Sequence, residues 1–445
     1  MHDSSVSNES SASRRIRLPV RYLVLGWFCL AAALAYGPRP LLGLCATAVQ
    51  DELSLSDEAF GWALGAFFLS YSLFQIPAGW LAGRWGSRAA LAVSMAGCSI
   101  AATFTGAASG LPSLMFWRLG TGTFQAGIFP ACTSSFAHWF PRTERAVASG
   151  LLTGFMSAGG AAAVALGGWL LKHEYVGWRG AFVLVGFPGI LWAVGFYWWF
   201  RNRPAEHTSV SPAELAKIGA GASEKEVNAP TESELEPTPW LVLLTSVPLW
   251  LISAQQFFRA AGYALFLSWF PKYVQEEYGS SVEEAGILTS IALVAVTVGS
   301  PIGGIWSDWL LARTGSRRVS RKWLSVVTML TCAAFFLAAG FATSARTALV
   351  LFTGAAFFGS IAGPAAYAIT IDMGGRHVPT VFGIMNMGGN VGATVFPIVV
   401  GKLIAITGSW TWIPAFVAGI YIAGGMLWLG LDTHGTIFDR DAAAE

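Results

Sequence analysis

Charge is what this sequence of 445 residues has least of: Asp, Glu, Lys and Arg make up 12% of it, against roughly 25% in a soluble domain. A surface so short of charge does not face water alone. The net charge of +2 is scattered between apolar runs, so no basic patch for nucleic acid is present. Cysteine is scarce as well. Cys29, Cys45, Cys98, Cys132 and Cys332 all lie in apolar stretches without a CxxC or a Cys/His cluster. That pattern argues against a zinc site or a disulfide framework and for small buried hydrophobes, and no cofactor is expected. The long apolar runs offer no nucleophile with a base, and no acid–base pair, which argues against an enzyme. Asp308 stands at the end of one of them, and no Asp or Glu lies deeper in any.

What is present is apolar. Hydrophobic residues make up 54% of the chain, with 20 Trp and 30 Phe, as in a protein with lipid-facing belts and aromatic rings at headgroup level. A bilayer core takes about 20 apolar residues per helix. Such runs cover 20–45, 59–82, 89–109, 112–137, 147–171 and 180–200, then 241–270, 285–310, 323–342, 347–371, 380–405 and 411–431. Gly, Pro and charge mark the breaks between them. The reading is an all-α membrane protein of twelve transmembrane helices in two bundles of six. A tail (1–18) precedes the first bundle (19–201); a Pro-, Ser-, Ala-, Glu- and Lys-rich linker (202–239), read as a mobile tether, leads to the second (240–432) and a second tail (433–445). The first run outlasts a signal h-region and lacks a suitable cleavage site. Arg84, Arg88, Arg142, Arg145, Arg313, Arg317, Arg318 and Arg321 fall on one side, against Lys172, Arg179, Lys272, Arg346 and Lys402 on the other. This bias predicts a multi-pass protein of the cell (inner) membrane with both termini cytosolic.

The bundles repeat each other. Residues 49–59 and 274–285 share a Val-Gln-acid-Glu start and a Ser…Glu-Ala end; 79–88 is echoed at 304–308 and 315–317, 150–159 at 383–392, and 178–182 at 412–416. Six helices plus six, related about the membrane normal, is a transporter architecture. The segment Gly-Trp-Leu-Ala-Gly-Arg-Trp-Gly-Ser-Arg at 79–88 resembles the signature loop of the major facilitator superfamily. The resemblance implies gating roles for Arg84, Arg88 and, in the second copy, Asp308. Gly83 stands where that family usually has Asp.

Three arginines lie within apolar spans: Arg39 in the first, Arg118 in the fourth and Arg259 in the seventh. Each costs at least about 2.5 kcal/mol at mid-membrane, so none is expected to face lipid. With no acid in any span beyond Asp308 at the end of the eighth, an anionic substrate is the economical counter-charge, because a guanidinium pairs bidentately with carboxylate or phosphate. The alternatives are snorkelling or, for Arg39 after Gly37-Pro38, backbone carbonyls freed by a broken helix.

Residues 118–132 followed by 139–145, Phe-Arg-Ala-Ala-Gly-Tyr at 258–263 running on to Pro271-Lys-Tyr273, and 383–390 with Phe396-Pro397 are similar to the anion:cation symporter family. That family holds bacterial sugar-acid transporters, sialin and the vesicular glutamate transporters. The resemblance implies substrate binding by Arg39 and Arg118, with Arg259 at a position used in the glutamate branch. It also implies a coupled proton or other cation. Two departures bear on the coupling: Pro38 and Gln125 occupy places where the family often carries acids. Tyr36, Tyr71, Gln125, Tyr263, Asn386 and Asn390 complete the candidate substrate-binding set, as cavity-lining polar groups or as interhelical hydrogen bonds. His138 reads as a solvated loop residue. The expected function is alternating-access transport of a small organic anion, a carboxylate such as a hexuronate or aldonate, by a monomer in the bilayer. Exchange or uniport are rivals to proton symport, an organophosphate antiporter is a further transporter reading, and a transporter-like membrane sensor is the alternative from another class.

Overall fold

The computed structural model describes residues 18–173, 175–219, 240–374, 378–431 and 437–438. Among these residues the chain is helix and turn, without strand. Twelve membrane helices follow one another. α1 covers Val20–Tyr36 and continues through Pro38–Leu44 and Ala46–Leu53. Pro38 and Pro40 bring no N–H to its ladder, and the backbone steps out of helical geometry at Cys45 (φ −85°, ψ 8°). α2 (57–85) and α3 (87–105) form the rod Asp57–Thr105, jointed at Gly86. There φ is 77° and ψ 154°, a conformation that a Cβ would strain.

α4 is split into Leu111–Gln125 and Ile128–Trp139, and is followed by α5 (Arg142–Lys172) and α6 (Trp178–Trp199). α7 comes in three pieces, Trp240–Thr245, Val247–Leu267 and Phe270–Tyr278. α8 (Val282–Thr314), α9 (Leu324–Ala339, entered by the wide turn Arg318–Trp323), α10 (Ala345–Gly374), α11 (Val378–Thr407) and α12 (Ile413–Gly430) complete the second bundle. Among the described residues, nine helices are long and apolar enough to cross a membrane; α2, α4 and α7 are not among them, and α4 and α7, which carry Arg118 and Arg259, are broken. The repeat shows in the helix starts. Ser56 accepts the Ala59 N–H at the head of α2, and Ser281 accepts that of Glu284 at the head of α8. Acidic residues occupy both first turns, where they favour the helix dipole.

The halves are welded on the face away from the chain termini. α2 lies on α11 and α5 on α8 with backbones in contact. A Cβ on Gly61 would stand 2.6 Å from the Pro397 carbonyl oxygen, and one on Gly286 2.7 Å from that of Val164. Lys272, buried at the foot of α7, reaches Asp57 at 2.5 Å and Gln50 at 2.6 Å across the seam. Lys172 pairs with Glu283 beside it. Toward the termini the halves diverge: a Cβ on Gly150, Gly154 or Gly383 would meet nothing within 4 Å.

The start of the linker is not a free tether. The helix Pro212–Gly219 lies against the first bundle, and its Glu214 is buried. Glu214 accepts the N–H groups of Val20 and Arg21 at 3.0 Å each. α1 begins after Pro19 with no side-chain cap of its own, so these orphan donors draw an acceptor from elsewhere. Arg21 also pairs with Glu144 at 2.9 Å, and Lys217 with the same carboxylate at 2.8 Å. The Arg21 hydrogen bond, helped by Lys217, holds Glu144 below the ordinary carboxylate range. A lowered native pKa contributes stability above the unfolded-state value and loses it as pH falls through the native one. Glu144→Gln is therefore expected to cost about 1–3 kcal/mol near neutrality. Thermal unfolding in detergent should show its midpoint converging with that of wild type as pH drops below about 4.

Candidate functional site

Between the diverging halves lies a cavity of about 600 Å³. α1, α2 and α5 form its wall from the first bundle, and α7, α8, α10, α11 and α12 from the second. Among the described residues the wall holds two charged side chains, Arg39 and Arg259, one from each half, and no acid, lysine or histidine.

Arg39 is 8% exposed. The rings of Tyr36, Tyr71 and Phe67 surround its guanidinium at 3.8, 4.6 and 4.8 Å from their centroids, in range for cation–π attraction. Its Nε donates to Gln125 Oε1 at 2.6 Å, and the Gln125 amide donates in turn to the Ala35 carbonyl. Carbonyls in the proline-disturbed stretch of α1 thus do not bind Arg39 directly; Gln125 stands between. The buried Nη2 of Arg39 has no partner, a state that costs about 1–3 kcal/mol for an ordinary polar group and more for a charged one.

Arg118 is 1% exposed and lies behind the wall rather than in it. Its guanidinium is 5.0 Å from the Phe67 ring that also faces Arg39, and its Nε has no partner. Gln125, seven residues on, likewise stays behind the wall. In the second half, Arg259 donates through Nε to Gln256 Oε1 at 3.0 Å. Gly363 packs beside it, where a Cβ would stand 3.4 Å from Nη1, an ordinary contact. Tyr263 lies one turn on and lines the same wall as Arg39 and Arg259. Asn386 donates across the cavity to Gln75 Oε1 at 2.9 Å, while Nδ2 of Asn390 is unpartnered. Among the described residues, none of the three arginines forms an ion pair.

Seven candidates, Tyr36, Arg39, Tyr71, Arg259, Tyr263, Asn386 and Asn390, therefore share one wall, with Arg118 and Gln125 behind it. The polar wall groups that escaped the sequence reading include Gln75, Gln256 and Tyr421. Gln256 was legible as the residue one turn before Arg259; the other two carry no local signal. The gating candidates lie on the termini face. Arg84 is exposed. Arg88 ties α3 to α6 through the Tyr197 carbonyl at 2.7 Å, and Asp308 pairs with Arg321 at 3.2 Å. His138 is exposed at the end of α4, bonded to the Ser134 carbonyl. No group of metal-ligating side chains occurs among the described residues.

Known proteins share this architecture. The chain is 29% identical over 413 residues to the probable sulfoacetate transporter SauU of Cupriavidus necator, covering 92% of this chain and 93% of that one. It is 30% identical to the D-galactonate transporter of Escherichia coli O6:H1, covering 86% and 89%. With the probable galactarate/D-glucarate transporter GudP of Bacillus subtilis it shares 30% over 92% and 91% of the two chains. Among solved structures, the inward-facing, unoccupied bacterial homologue of the human lysosomal transporter Spinster superposes with a TM-score of 0.72. That match has 22% identity and covers 93% of this chain and 94% of that one. The profile of the Major Facilitator Superfamily matches residues 28–317 and 252–444. The protein is a membrane transporter and belongs to the Major Facilitator Superfamily.

Proposed function

We propose that this transporter moves a small organic anion by alternating access, holding it between Arg39 and Arg259. The observation that carries the reading is the wall itself: two guanidiniums, no acid among the described lining residues, and an unpartnered buried Nη2 on Arg39. Relatives along most of the chain are named for sulfoacetate, galactonate and galactarate or glucarate, all small organic anions. Sugar acids such as hexuronates and aldonates are the first class to try. Tyr36, Tyr71, Tyr263, Asn386 and Asn390 would receive their hydroxyls, and Arg118 adds positive field from behind Phe67. One chain holds a whole cavity, so a monomer suffices.

With both termini in the cytosol of a cell whose inner membrane holds the protein, the cavity opens inward and the Lys272–Asp57 seam closes the outer side. Arg84, Arg88 and Asp308 then lie on the face that must close for the opposite state. Proton symport has no carboxylate or histidine carrier in the described wall, and Gln125 holds Arg39 with an amide that cannot titrate. Exchange is the mode these residues favour, because the anion itself supplies the charge that lets the loaded carrier turn over.

The test is uptake of labelled sugar acids into proteoliposomes, with and without internal anion and with and without a pH gradient. Uptake that needs internal anion and ignores the gradient is expected. Accumulation driven only by the gradient would replace exchange with symport, and no uptake of any organic anion would overturn the reading.

A further inference from the structure

We infer that Glu276 is a positioning residue of the transport cycle: it holds Lys272 for the second half while the face away from the termini is open, and so sets how readily that face opens. The inference rests on the alternating-access reading above and names the group on which its outer gate turns. Lys272 is 5% exposed and has acceptors on both sides of the seam. From the first half come Asp57 Oδ1 at 2.5 Å and Gln50 Oε1 at 2.6 Å. From its own helix comes Glu276 Oε1 at 3.3 Å. The other oxygen of Glu276 accepts the Trp410 indole N–H at 2.6 Å. Trp410 is itself buried, and packs on Trp269 and Tyr273 with ring centroids 5.9 and 5.7 Å away. The Glu276 carboxylate is thus placed by the second half alone.

When the halves part, every group in this cluster keeps a partner. Asp57 retains Gln50, whose amide donates to it at 2.9 Å within the first half. Lys272 loses both first-half acceptors but retains Glu276, and Glu276 retains Trp410. Without Glu276 the same motion would strip the ammonium of its last carboxylate beside the Trp269 ring, which lies 5.7 Å from Nζ. Leaving a charge uncompensated is far costlier than exchanging one partner for another. The distances rank the two acids: the closed face favours Asp57, at 2.5 Å, and Glu276 stands by at 3.3 Å. The device is not a by-product of the internal repeat. Both copies carry an acid after Val-Gln, Asp51 and Glu276, but four residues before it the first copy has Thr47 and the second Lys272.

Spin labels on cysteines at Asp51 and Lys402, exposed residues of the two halves, test this in the purified full chain in nanodiscs without substrate. The variants are Asp57→Asn and Asp57→Asn with Glu276→Gln, each with and without Lys272→Gln, and all checked for wild-type elution on size exclusion. Asp57→Asn removes the first-half carboxylate and should bring up a longer-distance population. Adding Glu276→Gln should lower the ratio of long to short distances about twofold to fivefold, the worth of one part-exposed ion pair. With Lys272→Gln present, Glu276→Gln should leave the ratio unchanged, because its effect runs through the lysine. A ratio that rises or stays level on Glu276→Gln, or a fall that persists with Lys272→Gln, would overturn the inference. So would an Asp57→Asn protein without the longer distances, since the lysine would then not hold the face. These distances are taken without substrate, so they fail separately from the organic-anion reading: if no acid is taken up, that reading falls and the gate result stands.

Discussion

Arg39→Ala is expected to reduce organic-anion uptake by at least about 100-fold while the protein still folds. Arg39 is the wall cation with an unpartnered buried nitrogen, and three aromatic rings fix its position. Two charge-assisted hydrogen bonds to an anion are worth about 1.5–3 kcal/mol each, and every 1.4 kcal/mol is about tenfold. Folding should survive, because removing an unpaired cation relieves a cost, and Gln125 keeps its bond to the Ala35 carbonyl. Arg39→Lys should recover little: an ammonium cannot hold the Gln125 oxygen and offer a planar fork together. Arg118→Ala should cost less than Arg39→Ala, since Arg118 stands behind Phe67 and outside the wall. Initial uptake rates at equal reconstituted protein decide the matter. A loss under tenfold for Arg39→Ala, or a ranking with Arg118 above Arg39, would move the anion site elsewhere.

The helices were legible because a bilayer imposes its thickness on the sequence. Each span has to read as about 20 apolar residues, and a charge inside such a run has few places to go. For the same reason Arg39 and Arg259 stood out without any structure. Their common wall was predictable in outline, since spans 1 and 7 face each other in a two-bundle transporter. Which face of α4 carries Arg118 was not. Arg118 and Gln125 are seven residues apart and share a face, but whether it meets the cavity or the back of α1 depends on Phe67, supplied by another helix. The Lys272 seam was hidden for a related reason. By sequence Lys272 is a charge in a loop, yet Trp269 and Phe270 turn the foot of α7 inward and bury it against Asp57 and Gln50. The linker misled through composition. Polar residues without apolar periodicity read as a tether, but Glu214 is held by the uncapped start of α1 and by Arg21. The one local hint was that α1 opens after a proline with no capping side chain.

Gly61→Val is expected to hold the halves apart on the face away from the termini and to stop transport by preventing the state described here. The added Cβ would fall 2.6 Å from the Pro397 carbonyl oxygen and 3.3 Å from the Ile398 Cα, both backbone atoms. No side chain can swing aside to relieve that overlap, so α2 must move off α11. Gly401 tightens the same seam, since a Cβ there would lie 2.5 Å from the Asp57 carbonyl oxygen. Separating the helices would also pull Asp57 from Lys272, a part-buried pair whose lysine keeps Glu276. Reversing a two-state population from 1:99 to 99:1 takes about 5.5 kcal/mol, and the backbone overlap is what has to supply most of it. Spin labels on cysteines at Asp51 and Glu277, both exposed on this face, would report the change as a longer, narrower distance distribution in Gly61→Val than in wild type. The five native cysteines are all buried, which favours selective labelling. Gly419→Ala, where a Cβ meets nothing within 4 Å, serves as the control that keeps wild-type distances and uptake. Wild-type distances in Gly61→Val would mean that α2 and α11 tolerate the side chain and that the seam is not the gate. A longer distance with undiminished uptake would mean that this face need not seal for the cycle to run.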